Sequence, residues 1–444
     1  MSEWKKVKIG EFLTEREGRF KPDDKRISKY QRLDKIDFSG KVHLSNKPTK
    51  TDMILVQPGD LVISGINVAK GAITVYQGEE PVCATIHYSS YTFDSSKVDL
   101  DYFKFFVKSD AFVAAIQKQV KGGIKTEIKP KHLLPLEISI PDLQTQKKIV
   151  KEISSQLDKT EQLSIEIAKQ KIYAKQLRQN ILQEAIEGII TADWRKQHPV
   201  QKGNPDYDAE ALFDKIQAEK LENKSTKKTV VPIAKDEIPF EIPTGWKWVR
   251  LGEIIQEPPR NGYSPKAVDF ETSIKTLKLG AVTYGVFDSS EFKYINEKIP
   301  EDAYCWLKNG DFLIERSNSF EYVGICAIYT GKDNEFMYPD LLMRFRTAEI
   351  LLKEYIHSAL VSPFNREYFM ANAKGAQKTM PKINQECVVN TLIPLPPLAE
   401  QKEIVARVEQ HLQTITQLEN QIATRETTTK QLMQSILKDA FEEA

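Results

Sequence analysis

The stretch 140–188, IPDLQTQKKIVKEISSQLDKTEQLSIEIAKQKIYAKQLRQNILQEAIEG, returns at 395–443 as LPPLAEQKEIVARVEQHLQTITQLENQIATRETTTKQLMQSILKDAFEE. A shift of 255 positions aligns the two copies without a gap. Pro141 falls on Pro396, Gln146-Lys147 on Gln401-Lys402, and Lys175-Gln176-Leu177 on Lys430-Gln431-Leu432. By direct count 19 of 49 positions are identical, too many for two unrelated amphipathic helices, so the chain carries an internal duplication. In the first copy Ile149, Ile153, Leu157, Leu163, Ile167, Leu177 and Ile181 recur mostly in steps of three and four. Ile404, Val408, Leu412, Leu418, Ile422, Leu432 and Ile436 repeat the pattern in the second. That spacing marks one face of a helix. At ~1.5 Å per residue, about 42 residues extend on the order of 60 Å. A helix that long with one narrow apolar stripe has to bury it on a partner, and the economical partner is the other copy.

Around the two helices the chain reads as a tandem: a globular domain over 1–140, a spacer helix over 141–188, a connector over 189–240, a second globular domain over 241–394 and a second spacer helix over 395–444. The first domain has short apolar runs punctuated by Pro58-Gly59, Gly65, Gly71 and Gly78, which is strand-and-turn grammar. An amphipathic helical pattern over 101–119 makes it α+β. The connector is broken by Pro199, Gly203, Pro205, Pro232 and Pro239, with one short helix expected over 208–223. It is expected to carry the chain back along the long helix. The second domain echoes the first at its landmarks. Trp246-Lys247-Trp248 matches Trp4-Lys5-Lys6, Gly310-Asp311-Phe312 matches Gly59-Asp60-Leu61, and Lys378-Thr379 matches Lys125-Thr126. Between landmarks the sequences diverge. The expected fold class is therefore α+β: two globular heads separated by two long antiparallel helices, a coiled-coil-like spacer with pseudo-two-fold symmetry. Similar spacers with dissimilar heads suit an object that reads two different things at a fixed separation. Duplex DNA has matching symmetry, with half-sites repeating every ~34–36 Å.

Composition narrows the class. Lys+Arg 63 against Asp+Glu 62 nearly cancel, so bulk charge does not announce a nucleic-acid binder. Cys83, Cys305, Cys326 and Cys387 are scattered, which fits neither a zinc site nor a disulfide framework and suits a reducing cytoplasm. The start MSEWKKVKIGEF lacks a signal-peptide core, and no stretch approaches ~18 apolar residues, so no membrane association is expected. No GxxxxGK[ST], HExxH or GxSxG motif occurs. Asn204-Pro205-Asp206-Tyr207 and Glu257-Pro258-Pro259-Arg260 loosely resemble the proline motif of amino-methyltransferases. The first has Asp206 where a second proline belongs, the second has Arg260 where an aromatic should stack, and neither has a glycine-rich cofactor loop. No catalytic or metal-binding residue is assigned.

The candidate reading surface lies in the polar loops of the heads. Arg316, Ser317 and Asn318 follow the apolar run 311–314. Arginine can hold guanine O6/N7, asparagine adenine N6/N7, and a serine hydroxyl can reach a phosphate. The corresponding loop of the first head offers Asn67 and Lys70. Lys125, Thr126 and Lys129 in the first head, and Lys378, Thr379 and Lys382 in the second, suit phosphates. Arg260, Asn261 and Tyr263 form a further base or backbone loop. The plain alternative for any one of these residues is a solvated loop.

The whole constellation resembles the specificity subunits of type I restriction-modification systems. The resemblance covers nearly the full length. It rests on Trp246-x-Trp248-x-x-Leu251-Gly252-Glu253, on Gly310-Asp311-Phe312-Leu313-Ile314-Glu315-Arg316-Ser317-Asn318, and on Ile393-Pro394-Leu395-Pro396-Pro397-Leu398-x-Glu400-Gln401 running into the long helix. The first copy departs mildly, with Asp142 and Thr145 where the second has Pro397 and Glu400. The resemblance implies that the heads are target recognition domains, each reading half of a bipartite site on double-stranded DNA. It implies that the helices are the spacer on which methyltransferase subunits dock, and that a motor-nuclease subunit joins the full complex. S-adenosylmethionine, ATP and Mg would sit on those partners, which would flip and methylate adenine. The chain itself would be non-catalytic.

Overall fold

The computed structural model describes residues 4–38, 40–67, 72–119, 128–222, 231–374 and 380–441. The chain divides into two compact units, Met1–Gln170 with Ile422–Ala444, and Lys171–Gln421.

The first unit opens with β1 (Lys5–Lys8), β2 (Leu13–Glu15), β3 (Arg32–Ile36), β4 (Val42–Ser45) and β5 (Met53–Val56). β6 (Leu61–Ser64), β7 (Ile73–Val75), β8 (Val82–Thr85) and β9 (Tyr88–Phe93) follow, then α1 (Leu100–Phe106), α2 (Asp110–Gln119), α3 (Pro130–Leu133) and β10 (Glu137–Ile140). Two four-stranded sheets, ordered β2-β9-β6-β7 and β4-β3-β8-β5, lie beside a two-stranded β1–β10 ribbon. β6 is buried along its whole length, as its apolar Leu61-Val62-Ile63 run favours. The turn before it explains the Gly-Asp landmark. Gly59 takes φ +85°, which glycine adopts without strain, and Asp60 accepts a hydrogen bond from Gln57 N at 2.9 Å. Buried Asp60 is further held by Arg16 at 2.6 Å and by the Ser90 hydroxyl at 2.7 Å. α4 (Leu143–Ile186) leaves this unit. Ile149, Ile153 and Leu157 on its first turns share the head's core with Tyr102, Phe106, Ile436 and Phe441.

The second unit holds the end of α4, then α5 (Ala192–Gln197) and α6 (Ala209–Glu222). Its head runs β11 (Lys247–Arg250), α7 (Leu251–Ile254), β12 (Ile255–Asn261), β13 (Ala267–Val268), β14 (Ile274–Leu277), β15 (Phe292–Ile295) and β16 (Phe312–Glu315). It continues through β17 (Cys326–Ile328), β18 (Phe336–Met337), β19 (Leu342–Thr347), α8 (Lys353–Leu360), α9 (Pro363–Asn372), α10 (Gln385–Val389) and β20 (Leu392–Leu395) into α11 (Leu398–Phe441). The sheets β12-β19-β16-β17 and β13-β15-β14-β18, with a β11–β20 ribbon, repeat the first unit's architecture. Among the described residues each head has one parallel pair, β3–β8 at the centre of its sheet in the first and β14–β18 at the edge in the second. Asp311 repeats Asp60: it is buried, caps its turn from Lys308 N at 2.8 Å, and ion-pairs with Arg346.

The connector departs from expectation. Its described residues carry two α-helices where the sequence pattern gave one, and α6 is tied to the second head. Ala209 N donates to Gly245 O, Gln217 Nε2 to Glu253 O, and Lys220 Nζ to Gly252 O. Lys247 closes the contact on Glu210 at 2.8 Å.

Opposite ends of the long helices meet in each unit, so they pair antiparallel. In the second unit Arg178 of α4 reaches Glu419 at 3.0 Å, and Arg407 of α11 reaches Asp193 at 2.6 Å. Over 153–181 the buried residues of α4 that recur at the seam are Ile153, Thr160, Ile167, Ala174 and Ile181; over 408–436 those of α11 are Val408, Ile415, Ile422, Thr429 and Ile436. Both series step by seven, the period of a coiled-coil seam. This corrects the sequence stripe. Leu163, Leu177, Leu418 and Leu432 are 48, 45, 42 and 44 % exposed. Each stands three residues beyond a buried seam position and lies off the buried line. Small Thr160, Ala174 and Thr429 occupy the seam that large leucines had suggested.

Candidate nucleic-acid interface

In the second head three segments converge where β16 ends. Arg316 N donates to Leu341 O, and Ile383 N donates to Arg316 O, both at 2.9 Å. Arg316 is thus backbone-anchored from both sides, between the 338–342 strip and the segment carrying Lys382. Its guanidinium has one weak tie, Nη1 to Asp340 O at 3.4 Å. Lys374 and Lys382 exchange two backbone bonds of 2.9 Å, which sets two exposed lysines beside Arg316. On the far side of the strip, Tyr263 N donates to Tyr338 O at 3.0 Å, and the Ser264 hydroxyl bonds to Asp340. Gly262 is required there, because a Cβ would stand 2.0 Å from Tyr338 O. The sequence-derived loops at 260–264 and 316–318, with Lys382, therefore lie on one continuous strip.

The roles within the strip differ from residue to residue. Arg260 stacks its guanidinium on the Tyr304 ring at 3.4 Å, an arrangement favoured by the ring's negative face. Tyr263 donates its hydroxyl to Glu297 at 2.8 Å. Asn261 is half-buried in β12, and its Oδ1 finds no partner among the described residues. Ser317 corrects the expectation of a phosphate contact. It is fully buried, and its backbone bridges to Lys382. Its hydroxyl is buried and has no partner among the described residues, so as folded it is not presented at the surface. Asn318 is committed at both ends of its amide, donating to Glu315 Oε2 at 2.6 Å and accepting from Ser319 N at 2.7 Å. As folded, it shapes the loop instead of presenting an adenine-reading edge.

Glu315, which the sequence offers only as part of the motif 310–318 and not as a site residue, organises this loop. Its carboxylate is buried and accepts from Thr283 Oγ1 and from Asn318, each at 2.6 Å. Burial raises its pKa above the usual carboxylate range, while those two hydrogen bonds and Arg366 act in the opposite direction. The bond to Thr283 ties in a turn whose Tyr284 is 83 % exposed, the most exposed of the large apolar residues described. Thr283 and Glu315 lie far apart in sequence, so no local signal could have joined them.

The first head is built the same way with different side chains. Gly65 N donates to His87 O at 2.9 Å, and Ile128 N donates to Gly65 O at 2.8 Å. Gly65 therefore stands where Arg316 stands in the second head, and offers no side chain. Asn67 follows it, half-buried, its backbone closing a turn onto Ser64 and Ala72. Ile66 beside it is exposed, and so is Lys129 next to Ile128. Lys70, Lys125 and Thr126 in this head, and Lys378 and Thr379 in the other, lie outside the described residues.

Two strand-rich heads, each continuing into a long helix and each ending its central strand in a backbone-clamped polar loop, define a duplicated recognition module. The family described as "Type I restriction modification DNA specificity domain" matches residues 1–172 and again 243–425, and the chain belongs to that family. Among relatives, the EcoEI specificity subunit of Escherichia coli is 28 % identical over 275 residues, 60 % of this chain and 45 % of that one. The EcoKI specificity subunit of Escherichia coli K12 is 26 % identical over 338 residues, 76 % of this chain and 63 % of that one. The match thus spans less than two thirds of either relative's length. A solved chain of a type I R-M system superposes with a TM-score of 0.68 at 17 % identity, covering 99 % of this chain and 97 % of that one. The HsdS subunit from Thermoanaerobacter tengcongensis gives 0.54 at 17 % identity, covering 99 % and 96 %. These likenesses establish the fold. No described helix is long and apolar enough to cross a membrane.

Proposed function

We propose that this chain is the non-catalytic, sequence-reading subunit of a cytoplasmic type I restriction-modification complex, in which each head reads one half of a bipartite site on double-stranded DNA. The long helices hold the half-sites at a set spacing and dock methyltransferase subunits. Those subunits and a motor-nuclease subunit bring S-adenosylmethionine, ATP and Mg. The observation that carries this reading is the shared strand-end construction with exchanged side chains. The same two backbone bonds clamp Gly65 in one head and Arg316 in the other. Fixed scaffolding under a changed contact residue is what two half-sites of different sequence require. Among the described residues, phosphate-type cations border both loops, Lys129 in one head and Lys374 and Lys382 in the other.

The test is to co-express the chain with its methyltransferase and motor-nuclease partners and map methylated adenines across the host genome. The expected outcome is one bipartite motif with a constant gap. Methylation without sequence preference would point to a scaffold that merely joins partners. Calorimetric titration of the isolated chain with S-adenosylmethionine addresses the other reading: tight binding would make the chain a methyltransferase with attached target domains.

A further inference from the structure

The two units agree down to individual hydrogen bonds, which lets each position be matched to its sister. β1–β10 pairs Lys6 with Ser139, and β11–β20 pairs Trp248 with Pro394. Gln146 Oε1 accepts from Asp99 N at 2.7 Å, and Gln401 Oε1 accepts from Leu352 N at 3.1 Å. Ser109 Oγ donates to Phe106 O at 2.6 Å, and Ser362 Oγ to Ala359 O at 2.7 Å. In this register Lys6 corresponds to Trp248, Lys8 to Arg250, Ala111 to Phe364 and Ala115 to Tyr368.

In the second unit this corner, between the two-stranded ribbon and α9, is filled by the connector. Phe240 packs edge-on against Trp248 and Phe364, with ring centroids 5.0 and 5.8 Å away. The strap is fixed beside it by Arg250, which pairs with Glu237 and donates to Val231 O at 3.1 Å. In the first unit the same corner is an open groove of about 700 Å³. Its apolar lining includes Phe106, Ala111, Ala115 and Phe441, and its charged lining is Lys6, Lys118 and Lys438 with Asp110 and Glu137. A lysine and two alanines replace three large aromatics, and no described segment of the unit takes the place of Phe240.

We infer that this groove seats an extended segment of another protein chain, proline-flanked and with an aromatic residue between acidic ones. The sister unit supplies the template for the occupant. There the strap reads Asp236-Glu237-Ile238-Pro239-Phe240-Glu241, and its ring enters the corner between a ribbon strand and a helix. The first unit offers an apolar floor with more room for such a ring, because Ala111 and Ala115 stand back from it. Lys6, Lys118 and Lys438 outnumber Asp110 and Glu137 in the lining, and that cationic excess suits the acidic residues that flank the ring. This assignment is independent of how the heads read DNA.

A dye-labelled peptide of residues 231–245, VPIAKDEIPFEIPTG, titrated into the full chain with fluorescence anisotropy as readout, tests it. Saturable binding is expected, weakened at least tenfold by Phe240→Ala in the peptide and by Ala111→Phe or Ala115→Tyr in the protein. Both protein variants restore the sister unit's bulk, and their melting curves check that they fold. Lys6→Glu, an exposed change that leaves the floor intact, should also weaken binding and reduce its salt dependence. Absence of saturation up to ~1 mM would overturn the inference. Equal binding by the wild type and the two bulk variants would overturn it too, placing the peptide elsewhere. A concentration-dependent dimer in sedimentation, dissolved by Ala111→Phe, would assign the groove to a second copy and likewise overturn it.

Discussion

At the residue scale the sharpest contrast is between Gly65 and Arg316, two residues held by the same pair of backbone bonds. Arg316 keeps its guanidinium almost free, with one 3.4 Å tie to a carbonyl, so little has to be broken before it meets a base. Arg316→Ala is expected to cost about 1–3 kcal/mol of binding if the contact is bidentate to guanine, and to relax one half-site only. Competition binding of the assembled complex against DNAs altered in each half-site measures this. An equal loss on every sequence would make Arg316 a phosphate contact. His357 on α8 makes a different prediction. Its Nε2 lies 2.9 Å from Cys326 O, and burial lowers its pKa below the ordinary 6.5, outweighing the Cys326 and Gly285 backbone groups that raise it. The folded imidazole therefore stays neutral where the unfolded one is protonated. Its contribution to stability is complete above about pH 6.5 and is lost as pH falls through the window below that value. Denaturant midpoints of wild type and His357→Gln between about pH 5 and pH 7 should show the steeper decline in wild type. Parallel profiles would remove His357 from the acid response.

At the element scale the helices show what hydropathy can and cannot reveal. Their existence, length and duplication were legible because a long gapless repeat without Gly or Pro has few other readings. The seam was only half legible. Ile153, Ile167 and Ile181 announced themselves, but Thr160, Ala174 and Thr429 do not look like core residues, and Leu163 and Leu177 do. Burial at a seam depends on the angle around the helix, and one residue of offset rotates a side chain by about 100°. The strand-end loops fared similarly. Their positions followed from turn chemistry, since Gly59-Asp60 and Gly310-Asp311 place a positive φ and a capping carboxylate next to a buried strand. The burial of Ser317 and the commitment of Asn318 to Glu315 depend on pairing with distant segments, which local sequence does not encode. The corrected seam predicts unequal responses to similar changes. Ile167→Ala should destabilise by about 2–4 kcal/mol through a buried cavity. Leu163→Ala, four residues away and exposed, should cost under about 1 kcal/mol. Urea unfolding of the two variants decides between the heptad seam and the leucine stripe, because the stripe demands comparable losses.

At the scale of the whole molecule, the proposed spacer makes a claim that neither head can make alone. Both seams step by seven, so a seven-residue insertion preserves the face each helix buries, whereas an insertion of any other short length rotates it. One heptad added between Ile167 and Ala174, with another between Ile422 and Thr429, lengthens both helices by about 10 Å and leaves every residue of both heads in place. On duplex DNA, at ~3.4 Å per base pair, that length corresponds to about three base pairs. The proposed reading therefore expects methylation by the assembled complex to move to sites with the same two half-site sequences and a gap longer by about that amount. Inserting the heptad into one helix alone supplies the control. It leaves seven residues without matching length opposite them, and should impair assembly or stability instead of shifting the gap. Methylated-adenine mapping reads half-sites and gap in one measurement. An unchanged gap with the paired insertions would deny the helices a measuring role, and altered half-site sequences would mean that the helices take part in reading bases.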